Sequence, residues 1–194
     1  MATNAQAPAA NPIPFGLLCY GVSVFILAGF LGGTLTPSPL IGYGVFTGGL
    51  GMFLAAFAAY RAGSTFGSTL LGGYAAFWVS TAFYLWFFAP KSANVFVDLS
   101  WILLPWTVFT GYMLLCSLKT QMHAVQLLLA LLFVTLLLVW LVALAHLPAI
   151  FMKIAAILAI VSAIDAWYES YREISQSLAP EAPTPAASRP APAG

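Results

Sequence analysis

Charge is scarce in this chain. Its 194 residues include six Lys and Arg and five Asp and Glu, 6% of the whole, for a formal net charge of +1. A soluble domain carries about 25% charged residues, so a fold with water on every side is excluded. The near-neutral balance leaves no basic footprint for a nucleic-acid partner. Cysteine is nearly absent: Cys19 and Cys116 both fall inside apolar runs. They form no metal spacing and no disulfide framework, and read as small buried hydrophobes. No metal and no cofactor is expected. Catalytic patterns are missing as well. There is no Gly-x-Ser-x-Gly, no His–Glu pair, no carboxylate dyad and no phosphate-binding glycine loop. His123 and His146 stand at opposite ends of one apolar segment, as interface histidines do. The chain therefore reads as a non-enzyme.

What it has is apolar length. Hydrophobic residues make up 62% of the sequence, and the mean hydropathy is +0.97. Six continuous stretches, 14–33, 39–61, 66–88, 97–117, 124–146 and 149–169, each approach the ~20 residues that cross a hydrocarbon core of about 30 Å as a helix. Membrane strands would alternate over about ten residues, whereas these runs are continuous and rich in Leu or Ala. The expected fold is an all-α integral membrane protein, a multi-pass bundle of six transmembrane helices spanning 11–176, in a plasma or inner membrane. The Ala- and Pro-rich ends, 1–10 and 177–194, bury too little to offset their ordering entropy and are expected to be disordered tails. Residues 1–10 lack a basic stretch, so no cleavable signal peptide is expected. Arg61, Lys119, Arg172 and Arg189 on the side of the termini, against Lys91 and Lys153 on the other, predict that both termini are cytoplasmic.

In lipid, helices approach closely through small residues. Gly29 with Gly33, Gly44 with Gly48, then Gly51, Ala55 and Ala59, and finally Ala155, Ala159 and Ala163 form such stripes. Much of the leucine-rich segment 127–138 is expected to face lipid or a neighbouring subunit. Asn11 reads as a helix N-cap with Pro12 and Pro14 in the first turn. Gly63 suits a positive φ after the second helix, and Ser64 or Thr65 can cap the third. The polar groups inside the segments are hydroxyls and amides with no fixed positive charge at mid-depth, Thr47 and Gln126 being candidate pore-lining groups. Such a lining suits a small carboxylate met by hydroxyls and helix N-termini, or one crossing as the neutral acid. Asp165, close to Trp167, Tyr168 and Glu169, reads as an interface anchor and not a proton carrier. Glu169 and Arg172 read as an exposed helix pair.

Four motifs in order carry a resemblance. They are Asn11-Pro12-Ile13-Pro14-Phe15-Gly16-Leu17, Gly63-Ser64-Thr65-Phe66-Gly67, Gly73-Tyr74-Ala75-Ala76-Phe77-Trp78, and Ala166-Trp167-Tyr168. Across residues 11–170 the chain resembles the acetate uptake transporter family, which contains bacterial acetate–succinate permeases and fungal ammonia/acetate relatives. Ala75 stands where that family usually has Gly. The resemblance implies proton-coupled uptake of acetate and similar small carboxylates, succinate among them, by a homohexameric ring with one pore in each subunit. It also implies a constriction at Tyr20, Tyr74 and Leu132, with Leu131 as the alternative in the fifth helix. Tyr20 replaces a common Phe, adding a hydroxyl that would make the gate more polar. Each of the three lies eight residues beyond Pro12, Phe66 or Ala124, about 12 Å into the core at 1.5 Å per residue. Two other readings stand beside uptake: ammonia or ammonium export, which the fungal branch suggests, and a non-transporting membrane sensor or scaffold.

Overall fold

The computed structural model describes residues 10–178, so the expected tails fall almost wholly outside the described residues. Among the described residues six helices are long and apolar enough to cross a membrane: α1 (Ile13–Leu31), α2 (Pro37–Arg61), α3 (Thr65–Lys91, its end a short 3₁₀ turn), α4 (Val95–Ser117), α5 (His123–Ala145) and α6 (Ile150–Ser177). No strand occurs among the described residues. The expected segments agree with these to within a few residues, except that α6 runs well past 169. Its extra turns are held by the start of α1: Ser170 Oγ donates to the Pro14 carbonyl at 2.8 Å, and Asn11 Nδ2 donates to Glu173 Oε2 at 3.0 Å. An even number of crossings thus brings both ends of the bundle's chain to one side.

Local chemistry sets the helix ends. Gly63 takes φ +77°, and the Ser64 hydroxyl accepts the Gly67 N–H at 3.1 Å, satisfying one of the free donors of a helix start. Asn11 caps differently from expectation. Its Oδ1 accepts the Ile13 N–H at 3.0 Å, an Asx turn that leaves Pro12 in the N-cap position. In the middle of α2, Gly44–Gly51 winds as a π-helix.

Bare glycine backbone lets side chains of neighbouring helices dock. A Cβ at Gly48 would overlap the Trp78 ring of α3, one at Gly73 the Phe109 ring of α4, and one at Gly21 the Trp167 indole of α6. Ala155, Ala159 and Ala163 are fully buried, as are Ala55 and Ala59, so those stripes pack as read from the sequence. The Gly29/Gly33 pair does not. Gly33 lies beyond the end of α1 at φ +76° with open space around it, and Gly29 meets Leu35 of the following turn.

Along the ring, α1 packs against α2 and α6, α6 against α5, α5 against α4, and α2 against α3. Between α3 and α4 the backbones stay apart, and aromatic side chains close the gap: Tyr74 meets Phe109 at 5.3 Å and Phe77 meets Trp106 at 5.4 Å between ring centroids. The outer surface is apolar, with Phe46, Phe53, Phe57, Trp86 and Trp101 exposed, as lipid requires. Three expectations need correction. Leu128, Leu129, Leu132 and Leu136 of α5 are buried in the bundle, because α5 lies between α4 and α6 and only part of its circumference faces outward. Cys116 is exposed on the outer face, while Cys19 is buried and fills the hollow at Gly51. Glu169 pairs with Arg172 at 2.6 Å but is itself buried, so the pair is not a surface feature.

Candidate functional site

Tyr20 of α1, Tyr74 of α3 and Leu132 of α5 converge on the bundle axis. They are 3%, 3% and 4% exposed. Together with Val24, Leu27, Phe77, Trp78, Trp106 and Leu136 they enclose a cavity of about 10 Å³, room for roughly one water. The two tyrosine rings meet edge to face with centroids 6.0 Å apart. Leu131 does not line this cavity.

The tyrosine hydroxyls point into the wall. Each hydroxyl has a single proton to give. Thr110 Oγ1 donates its own to the Trp106 carbonyl at 2.7 Å, so in the 2.9 Å contact between Tyr74 and Thr110 the tyrosine is the donor. Ser162 Oγ donates to the Leu128 carbonyl at 3.3 Å, which makes Tyr20 the donor in its 2.8 Å contact with Ser162. Both tyrosine protons are therefore committed to α4 and α6. The extra hydroxyl of Tyr20 does not make the gap polar; ring carbons and the Leu132 methyls face it. Replacing Tyr74 by Phe is expected to lower thermal stability by about 0.5–1.5 kcal/mol through the lost wall bond, with acetate flux changed less than twofold. Paired melting and vesicle flux measurements check this.

A second cavity, about 50 Å³, adjoins the first on the side away from the termini and shares Leu27, Phe77 and Trp78 with it. Its polar lining residues are Thr81 of α3 and Ser100 of α4. Ser100 Oγ donates to the Val97 carbonyl at 2.6 Å. Thr81 Oγ1 is buried and has no hydrogen-bond partner among the described residues. Sequence reading did not single it out, although its place seven residues after Tyr74, two helical turns along one face, was a usable signal.

The other candidates lie elsewhere. Thr47 borders a shallow groove with Pro39, Gly42, Tyr43 and Phe46. Gln126 Nε2 donates to the carbonyls of Ser117 and Thr120 at 2.9 and 3.0 Å, fastening the α4–α5 connection. Neither lines either axial cavity. In the opening motif, Pro12 occupies the cap and the Pro14 carbonyl receives Ser170. Gly16 admits Leu71 of α3, whose Cδ2 would lie 2.7 Å from an added Cβ, and Leu17 is buried in the core. These residues dock α1 against α3 and α6, and so fix where Tyr20 points. Asp165 is half-buried, with Oδ2 unpartnered among the described residues, and borders neither axial cavity. Among the described residues no cluster of His, Cys, Asp and Glu could hold a metal.

The fold has a counterpart among solved structures. The structure of the bacterial acetate channel SatP matches with a TM-score of 0.80 at 25% identity, covering 88% of this chain and 94% of that one. Ammonia transport outward protein 2 of Saccharomyces cerevisiae is 30% identical over 176 residues, 86% of this chain and 62% of the yeast protein. Acetate permease A of Emericella nidulans is 30% identical over 128 residues, 57% of this chain and 42% of the permease. The chain thus spans less than two thirds of the length of these curated relatives. The sequence pattern of the GPR1/FUN34/yaaH family matches residues 1–182.

Proposed function

Because this chain belongs to the GPR1/FUN34/yaaH family, we propose that it conducts acetate and similar small carboxylates across a membrane, through one pore in each subunit. The observation that carries this is the meeting of Tyr20, Tyr74 and Leu132 around one axial cavity, in a fold matching that of an acetate channel. An aromatic, uncharged gap favours the neutral acid, since an unpaired carboxylate at mid-membrane is costly to bury. Net proton uptake then accompanies each acetate, whether the proton rides on the acid or beside it. Both termini face the cytoplasm, as the Arg61 and Lys119 loops favour. The subunits assemble as a hexameric ring, as the family resemblance implies.

Carboxylic acids titrate near pH 4, and the neutral fraction falls about tenfold per unit above that. Labelled acetate uptake at fixed total acetate is therefore expected to fall steeply from pH 5 to pH 8. A flat profile contradicts passage as the acid or with a proton. Orientation has its own test. A cysteine at exposed Ala93, on the α3–α4 connection, is expected to react with an impermeant reagent outside intact cells, in a background carrying Cys116→Ser. A cysteine at exposed Ala62, on the opposite side of the bundle, should stay unlabelled. The reverse pattern inverts the topology.

Ammonia export is the second reading, favoured by the resemblance to the yeast ammonia transport outward protein. Acetate uptake and ammonium efflux measured on one vesicle preparation separate the two. Absence of both fluxes favours a sensor or scaffold.

A further inference from the structure

We propose that Ser162 of α6 is a positioning residue for the axial gap. It bonds Tyr20 on one side and the α5 turn that carries Leu132 on the other, and so limits the width of acid that passes. This rests on the acetate-conducting reading above and names what sets selectivity in the same passage.

Ser162 is fully buried and joins three helices. Tyr20 of α1 donates to its Oγ at 2.8 Å, and that Oγ donates to the Leu128 carbonyl of α5 at 3.3 Å. Leu128 stands one turn before Leu132, and helical bonding gives the same carbonyl the Leu132 N–H. One hydroxyl thus ties together two of the three residues that meet at the gap. Other buried hydroxyls behave differently. Thr107, Thr110 and Thr135 return their protons to their own helices, at the carbonyls of Leu103, Trp106 and Leu131, a common fate for a hydroxyl inside a helix. Both bonds of Ser162 leave α6.

Packing makes the tie rigid. Ala159, Ala163 and Ala166 on either side of Ser162 are fully buried, so α6 lies close to its neighbours and holds the hydroxyl in place. The Tyr20 ring is then fixed at both ends, through its backbone to α1 and through its hydroxyl to α6. The cavity that it walls is about 10 Å³, room for roughly one water, so an acid passes only as far as the walls yield. A ring tied at both ends turns aside less than a ring held by packing alone. Acetic acid, with a single methyl beside its carboxyl, needs a small displacement. An acid branched at that carbon needs a larger one, and the Tyr20–Ser162 bond resists it.

Labelled isobutyrate and acetate uptake are compared at pH 5 in sealed vesicles holding the full-length wild type, Tyr20→Phe, Ser162→Ala or the double variant. Tyr20→Phe removes one bond at nearly constant shape, and Ser162→Ala removes both. The isobutyrate-to-acetate ratio is expected to rise about threefold in Tyr20→Phe, within what one net hydrogen bond is worth, and at least as much in Ser162→Ala. Because Tyr20 and Ser162 act through one bond, the double variant should match Ser162→Ala. A serine that only supports the fold predicts otherwise: melting temperatures fall while the ratio keeps its wild-type value in every variant. That result overturns the proposal, and so does a double variant whose change is the product of the two single changes. Wild-type vesicles with no acetate uptake would remove the acetate reading itself, and this role with it. Acetate uptake with unmoved ratios removes the role of Ser162 alone.

Discussion

Leu132→Trp is expected to reduce acetate flux to the leak of protein-free vesicles while the protein still folds. Leu132 is 4% exposed and closes a cavity of about 10 Å³ against two tyrosine rings. An indole in place of the isobutyl group fills that space and extends towards Tyr20 and Tyr74. Overpacking of this kind costs about 1–3 kcal/mol, which a helical bundle with apolar neighbours such as Val24 and Leu136 can absorb. The cost to an acid that must pass is much greater, because no path of its width remains. Leu131→Trp is the control. It lies one position earlier on α5, outside the cavity lining, and should keep at least half of the flux. Assembly is checked by gel filtration, so that loss of flux is not mistaken for loss of protein. Equal flux in wild type and Leu132→Trp places the passage elsewhere.

Tyr20→Ala should act in the opposite direction. Removing this ring deletes one wall of the gap, and monocarboxylates longer than acetate should gain. Butyrate flux relative to acetate is expected to rise by about tenfold, since a barrier change of 1.4 kcal/mol is enough for that factor. Stability should suffer, because truncating a buried aromatic residue costs about 3–5 kcal/mol and Ser162 loses the hydrogen bond from Tyr20, keeping only that to Leu128. Tyr20→Leu, which retains more packing, is the companion variant and should shift selectivity less. A selectivity ratio that stays at the wild-type value in both variants shows that Tyr20 packs the core without limiting passage.

The helices were legible because each is a run of membrane length, and the turn at Gly63 and Ser64 because its chemistry is local. That Tyr20, Tyr74 and Leu132 line one cavity follows from their equal distance along three helices that start on one side, since rise per residue is fixed. The direction of the tyrosine hydroxyls could not be read this way. It depends on Ser162, 142 residues from Tyr20, and Thr110, 36 residues from Tyr74, and on carbonyls that have already taken the partners' protons. Thr47 lies in the π-helical stretch Gly44–Gly51, where extra residues per turn rotate the face that a regular helix would present, so its position beside the outer groove was not readable from spacing. The bonds of Gln126 were not readable either: its amide goes to the carbonyl of Ser117 at the end of α4 and to that of Thr120 in the α4–α5 connection, partners that only the turn brings near. Gly33 failed as a packing residue for a related reason: α1 ends at Leu31, so a spacing of four no longer means a shared face.

Purified wild-type protein in sealed vesicles, given labelled acetate at pH 5 and compared with protein-free vesicles, tests the central claim most directly. Saturable uptake well above the protein-free leak, abolished in Leu132→Trp, is the predicted result. Uptake indistinguishable from the protein-free leak would contradict the claim that this bundle conducts acetate between Tyr20, Tyr74 and Leu132.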